Sequence, residues 1–145
     1  NLVEKILCSD NLELKCISLI KLGEIYIKNN YIDNVDDIFT KILNIEKDIQ
    51  YKWLILNLVI FKLKYYRFKN DNMKCLKIYK EYKALFAQFP SDFLNYQFYK
   101  ILKAIFVGAR HAVPVLNKFN KKITELKKKI NKNTLKILDT NLHRE

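Results

Sequence analysis

At 145 residues with a formal net charge of +12, the chain has the length of one domain and can bury a core without disulfide staples. Half of it is hydrophobic and 13% aromatic, with only 2 Gly and 2 Pro. That composition excludes a disordered linker, a collagen-like repeat, a glycine-rich phosphate loop and most all-β folds, which need many more turn residues.

In chain order, apolar residues recur at helical spacing and the breaks between runs carry capping chemistry, so the sequence predicts an all-α fold. A short first helix holds Leu2, Val3, Ile6 and Leu7. Asp10, with Glu13 three residues on, has capping-box spacing and starts a second helix that runs to about Lys28. Asn29-Asn30 suits a left-handed cap, and Asp33 or Asn34 is expected to cap a third helix carrying Val35, Ile38, Phe39, Ile42 and Leu43. The fourth is predicted from Tyr51 to Phe68, and the fifth, after the turn Asn70-Asp71-Asn72, from Met73 to Gln88. Pro90-Ser91-Asp92 stops the fifth and caps a sixth, which Gly108 ends near Val107. A seventh begins close to Pro114, and a short eighth is expected over 134–142.

Short connections make these helices antiparallel neighbours, with hairpins expected over 12–46, 50–89 and 92–132 of a single α-helical repeat domain spanning 1–145. An internal echo supports a stack of hairpins: Leu19, Leu22, Tyr26, Val35 and Phe39 reappear 80 residues on as Tyr99, Leu102, Phe106, Val115 and Phe119. In the last hairpin Leu116, Phe119, Ile123, Leu126 and Ile130 form an amphipathic stripe expected to cap the stack. Asn133, at the next seam position, would fit register control in a coiled coil.

Charge is uneven along the chain. Residues 1–50 carry 6 basic and 9 acidic side chains, residues 51–100 carry 10 and 3, and residues 101–145 carry 11 and 3. Lys69, Lys121, Lys122, Lys127, Lys128 and Lys129 mark a basic surface, and Tyr65, Tyr66 and Arg67 add stackable rings and charge beside it. Lys outnumbers Arg 24 to 3, and Phe, Tyr, Ile, Asn and Lys are in excess over Gly, Ala, Arg and Pro. That skew belongs to an AT-rich coding sequence, so part of the basicity reads as solvated helix face rather than as phosphate recognition.

Chemistry-bearing constellations do not stand out. Cys8, Cys16 and Cys75 lack metal-ligand spacing and read as small apolar side chains in a reducing, intracellular setting, cytoplasm or nucleus. His111 and His143 are isolated, with His111 expected in an exposed turn, and no metal or cofactor is expected. Asp36-Asp37 reads as an acidic first turn rather than a catalytic pair, so the expectation is a non-enzyme. The apolar run at Trp53–Phe61 contains Asn57 and is too short to span a bilayer, which makes a membrane partner an unfavoured reading. Starting at Asn1 rather than Met, the chain is expected to be a fragment or a processed product, and it shows no signal-peptide pattern.

The segment Leu19-Ile-Lys-Leu22-Gly23-Glu-Ile-Tyr26, then Asn29-Asn30-Tyr31 and Val35-Asp-Asp-Ile-Phe39, resembles a tetratricopeptide repeat. With Cys16 as the first of about 34 positions, Leu22-Gly23 falls on the family's Leu-Gly pair, and Tyr26 and Phe39 fall on its aromatics. The next repeat would start at Gln50, with Trp53 and Leu56 on the Trp and Leu positions and Asn57 in place of the Gly. A third begins near Tyr96. Such irregular hairpins also look like the helical arms of proteasome-lid and PCI-type scaffold subunits. Ile20 and Glu24 stand where a carboxylate clamp has Lys and Asn, so that clamp is not expected. What the resemblance implies is a protein-binding adaptor whose groove is lined by Ile20, Glu24, Ile27, Lys28, Tyr51, Leu54, Leu58 and Phe61, with Leu22, Gly23, Tyr26, Phe39 and Trp53 structural. The competing reading is a basic helical protein that binds RNA or DNA through residues 51–145.

Overall fold

The computed structural model describes residues 2–130 together with Lys136 and Asp139. Among the described residues the chain is all-α. Its helices are α1 (Leu2–Leu7), α2 (Leu12–Lys28), α3 (Ile32–Glu46), α4 (Lys52–Phe68), α5 (Asn72–Gln88), α6 (Asp92–Phe106) and α7 (Val113–Lys127), with a 3-10 turn at Arg110–Ala112. The chain divides into two compact units, Asn1–Phe61 and Lys62–Glu145, and the division falls inside α4. The eighth helix expected over 134–142 lies outside the described residues except for Lys136 and Asp139, which are helical. Lys132, Asn133 and His143 also lie outside them.

Helix starts reveal a period. First helices of the hairpins begin at Leu12, Lys52 and Asp92, 40 residues apart, and second helices begin at Ile32, Asn72 and Val113. Side chains keep the same register: Cys16, Leu56 and Tyr96 are all fully buried, and so, nearly, are Phe39, Tyr79 and Phe119. The 80-residue echo in the sequence is therefore two steps of this 40-residue spacing of first-helix starts. Leu56, rather than Gln50, is the counterpart of Cys16, because the helix containing it starts at Lys52.

The first two hairpin turns close identically. Asn30 (φ 59°) and Asn70 (φ 58°) adopt the left-handed conformation that ends a helix. Around Asn30, the N–H of Tyr31 donates to the Tyr26 carbonyl and that of Asn30 to the Ile27 carbonyl. Around Asn70, Asp71 donates to Tyr66 and Asn70 to Arg67 in the same pattern. Asparagine tolerates this conformation because its short polar side chain hydrogen-bonds locally. The third hairpin uses Gly108 (φ 87°) instead.

Two expected caps move. Asn11, not Asp10, caps α2, its Oδ1 accepting the Leu14 N–H at 2.9 Å, while Ser9 Oγ holds the Asn11 N–H at 3.2 Å. The α3 cap is Tyr31, which makes no side-chain cap bond, rather than Asp33 or Asn34. The left-handed Asn30 delivers the chain straight into the next helix and leaves Asp33 in its first turn. Asp36-Asp37 consequently sits one turn in, and Asp37 pairs with Lys41 at 2.6 Å. Asp71 and Ser91 cap α5 and α6 by accepting the N–H groups of Lys74 and Leu94, both at 3.2 Å. Asn95 Nδ2 ties the α5–α6 turn together by donating to the carbonyls of Phe86 and Ser91 at 2.9 Å.

In unit 1, α2 packs closely on α3 around an aliphatic core of Leu19, Leu22, Val35, Ile38 and Ile42. Unit 2 has an aromatic core where α5, α6 and α7 meet. Phe86 and Phe98 stack at 3.9 Å with their planes 9° apart, Tyr79 meets Phe119 edge-on at 4.9 Å, and Phe98 meets Tyr99 at 5.2 Å. Edge-on and offset contacts of this kind suit the ring quadrupole. The α7 stripe does what its spacing predicts: Phe119, Ile123, Leu126 and Ile130 are buried and Leu116 is half-buried.

Candidate functional site

Burial splits the expected groove. Leu54, Leu58 and Phe61 are core side chains at 1% exposure or less, and Ile20 is also buried. Glu24 and Ile27 are half-buried, while Lys28 and Tyr51 are exposed. Phe61 has a specific reason to be inside. A Cβ built on Gly23 would lie 2.5 Å from its Cζ and 2.7 Å from its Cε1, and 3.3 Å from Ile38 Cγ2 on α3. Gly23 therefore makes room chiefly for the Phe61 ring and only secondarily for the approach of α3. As core residues, Ile20, Leu54, Leu58 and Phe61 offer no contact area, because helical phase turns them inward with their buried neighbours.

Other apolar side chains of unit 1 are exposed. Trp53, expected in the structural set, is 39% exposed, and its ring centroid lies 6.5 Å from that of Tyr51, itself 54% exposed. Leu14, Ile25, Tyr31 and Ile32 are about as exposed as Tyr51. Large apolar side chains left in water in such number mark interaction surfaces more often than isolated ones do.

The expected basic surface is on the outside. Lys69, Lys121, Lys122, Lys127, Lys128 and Lys129 are all exposed, and Lys122 reaches Glu125 at 3.9 Å. Of the stackable rings, Tyr65 and Tyr66 are half-buried and meet edge-on at 5.3 Å. Lys74 Nζ sits 5.0 Å from the centre of the Tyr66 ring and covers one of its faces. His111 is exposed in the 3-10 turn.

Unit 2 also contains a polar seat that the sequence reading missed. Tyr96, fully buried on α6, donates its hydroxyl hydrogen bond to Asp139. Lys100, one turn on, places Nζ 3.7 Å from the same carboxylate and 6.0 Å from the Tyr96 ring centre. Burial, and then the hydrogen bond and charge of Asp139, push the Tyr96 phenol far above its usual range. The available signal was the 40-residue register: the positions filled by Leu56 and Ile60 in the second hairpin are Tyr96 and Lys100 in the third.

The thiols divide by burial. Cys8, expected to be a small buried side chain, is exposed, because α1 stops at Leu7 and leaves it on the turn. Cys16 and Cys75 are buried. Burial, with the nearby Glu46 charge, raises the Cys16 thiol to about 11, and burial with Asp71 raises Cys75 to about 12 against a smaller lowering by Arg67. Such thiols are poor nucleophiles at neutral pH.

Among the described residues, no group of three or more His, Cys, Asp or Glu side chains is placed to hold a metal ion, and no helix is long and apolar enough to cross a membrane. Fold and surfaces together define an all-α chain with several exposed large apolar side chains in unit 1 and exposed lysines in unit 2. Compared with protein-family models, curated proteins and solved structures, the chain matches none.

Proposed function

We propose that this chain is a non-enzymatic protein–protein interaction scaffold or adaptor, a subunit of a larger intracellular complex, made of tetratricopeptide-like hairpins. The observation that carries the reading is the exposure of Leu14, Ile25, Tyr31, Ile32, Tyr51 and Trp53 in unit 1. A fold that buries Leu54, Leu58 and Phe61 almost completely while leaving these large side chains in water has surface that a partner can cover. Exposed Tyr and Trp are well suited to anchor such a partner, since they bury much area with few rotatable bonds. On this reading the partner-binding residues of unit 1 are Ile27, Lys28 and Tyr51 from the expected groove, joined by Trp53, Ile25 and Leu14.

A second reading has its own support. Six exposed lysines with few acids nearby form the electrostatic footprint of a polyanion binder, so RNA or DNA contact through residues 51–145 is the alternative. Tagged purification from native lysate, split into nuclease-treated and untreated halves and read by mass spectrometry, separates the two. Defined protein partners that survive nuclease are the expected result. Loss of all partners on nuclease treatment would move the functional surface to the lysines and end the scaffold reading.

A further inference from the structure

Charge divides the second helices of the hairpins. Helix α3 carries Asp33, Asp36, Asp37 and Glu46 against Lys41, whereas α5 carries four lysines against Glu81 and α7 four against Glu125. Drift toward lysine codons acts on the whole chain and would load all three helices alike, so it does not account for the reversal. Tyr79 of α5 meets Phe119 of α7 edge-on at 4.9 Å, which makes the two lysine-bearing helices neighbours in unit 2. Helical phase sets Lys77 and Lys80 on the side of α5 away from Cys75 and Phe86, and Lys121 and Lys128 on the side of α7 away from Phe119 and Leu126. All four are exposed, and none pairs with a carboxylate among the described residues. We propose that Lys77, Lys80, Lys121 and Lys128 form a site that binds a nucleic-acid duplex by its phosphate backbone, whatever the base sequence.

Charge complementarity calls for a polyanion, and what surrounds the lysines selects among polyanions. A protein partner is anchored by apolar side chains at the centre of its interface. Beyond Met73 and Val113 at their N-terminal ends, α5 and α7 expose no large apolar side chain. A lipid surface takes up the apolar stripe of a basic helix, but Phe119, Ile123 and Leu126 are already buried in the core. Single strands are held by bases stacking on exposed rings, and here Tyr79, Phe86 and Phe119 are buried while Tyr82 is half-buried. A duplex needs none of these, since it presents closely spaced phosphates along a stiff rod. Lysine fits that ligand: its ammonium is a point charge that positions a phosphate without the planar fork Arg brings to bidentate recognition. The inference rests on the nucleic-acid reading above, narrows it to four side chains and one ligand, and leaves the exposed apolar side chains of unit 1 to a protein partner.

The test titrates the full chain into labelled duplex DNA, duplex RNA and their separated single strands, each in two unrelated sequences, and reads fluorescence anisotropy. At least one duplex should bind about tenfold tighter than its single strands, with the two sequences bound alike. Four phosphate contacts should make that affinity fall about 100-fold between about 50 and 200 mM salt. The combined variant Lys77→Gln, Lys80→Gln, Lys121→Gln and Lys128→Gln should bind about 100-fold more weakly at the lower salt and lose most of the salt dependence, with its melting curve confirming the fold. A control variant removes four exposed lysines of unit 1, as Lys5→Gln, Lys21→Gln, Lys47→Gln and Lys52→Gln, and should lose no more than about threefold. Equal losses in the two variants would assign binding to net charge and overturn the site. Single strands bound as tightly as duplexes would overturn the duplex and leave the nucleic-acid reading standing, whereas no binding of any probe overturns both. Polyglutamate or phosphatidylserine vesicles that displace the probe as well as unlabelled duplex does, at matched charge, would reassign the face to an acidic protein or a lipid surface and overturn the proposal.

Discussion

The two units fill helices that start at a common spacing with different material. At position 16 of the first hairpin stands Cys16, and its counterparts are Leu56 and Tyr96. Ser18 gives way to Leu58 and then Phe98, and Leu19 to Val59 and then Tyr99. Unit 1 packs aliphatic side chains and needs a glycine to seat one large ring, whereas unit 2 packs ring against ring. Both keep closely packed helix pairs, α2 on α3 in one and α6 on α7 in the other. The spacing of first-helix starts is therefore what the two units share, and core volume is free to differ as long as the shapes remain complementary.

The sharpest way to break this comparison is to delete a buried ring whose counterpart in the first hairpin is a serine. Phe98→Ala should cost about 4 kcal/mol of unfolding free energy, while Ser18→Ala at the same register should change it by less than about 0.5 kcal/mol. Equal losses in chemical denaturation would mean that the register is wrong. Next comes the glycine. Helical Gly→Ala usually gains stability, but at Gly23 the new Cβ meets the buried Phe61 ring, so Gly23→Ala should lose about 1 kcal/mol and Gly23→Leu about 3 kcal/mol. Combining Gly23→Ala with Phe61→Leu should recover part of the loss, a coupling that a double-mutant cycle measures directly.

Alkali offers a third contrast. Cys16 is held at about 11, and Cys75 and Tyr99 at about 12, all above their ordinary values, so the fold favours their protonated forms. Once the pH passes about 9, unfolded thiols ionise and folded ones do not. Stability should be complete below that pH and fall steadily between 9 and 12. Cys75→Ala should flatten the decline of melting temperature with pH more than Cys16→Ala does. The smallest effect tests the shared turns: Asn30→Ala and Asn70→Ala should each cost about 1 kcal/mol, and by similar amounts, while the glycine variants stay near the native value.

Much of this architecture was legible in the chain. Period 3.6 spacing and the turns at Asn29-Asn30, Asn70-Asp71 and Pro90-Ser91 located the helices from α2 to α6 and the start of α7 within two or three residues, whereas α7 ends at Lys127 rather than near 132. Caps were less readable, because Asp10 and Asn11 are near-equivalent chemically and only the backbone decides between them. The period was half hidden. Apolar character is kept at all five positions at a spacing of 80 residues, but at 40 Leu22 is matched by Lys62, and the template of about 34 put the second repeat start at Gln50 instead of Leu56. The exposed lysines of α7 followed from its amphipathic stripe. The groove did not follow in the same way, since which side of α4 is covered depends on Gly23 of another helix, and nothing local in Leu54, Leu58 or Phe61 announces that.

The 40-residue spacing has an evolutionary and engineering consequence. A coding change of 120 nucleotides between helices matches the spacing of Leu12, Lys52 and Asp92 and shifts no residue within a helix, although Asn72 and Val113 stand 41 residues apart. An insertion of a few codons within a helix would instead rotate every following side chain by about 100° per residue and turn a core face toward water. Changes of length are therefore borne best in the turns between helices, both for a genome and for a designer.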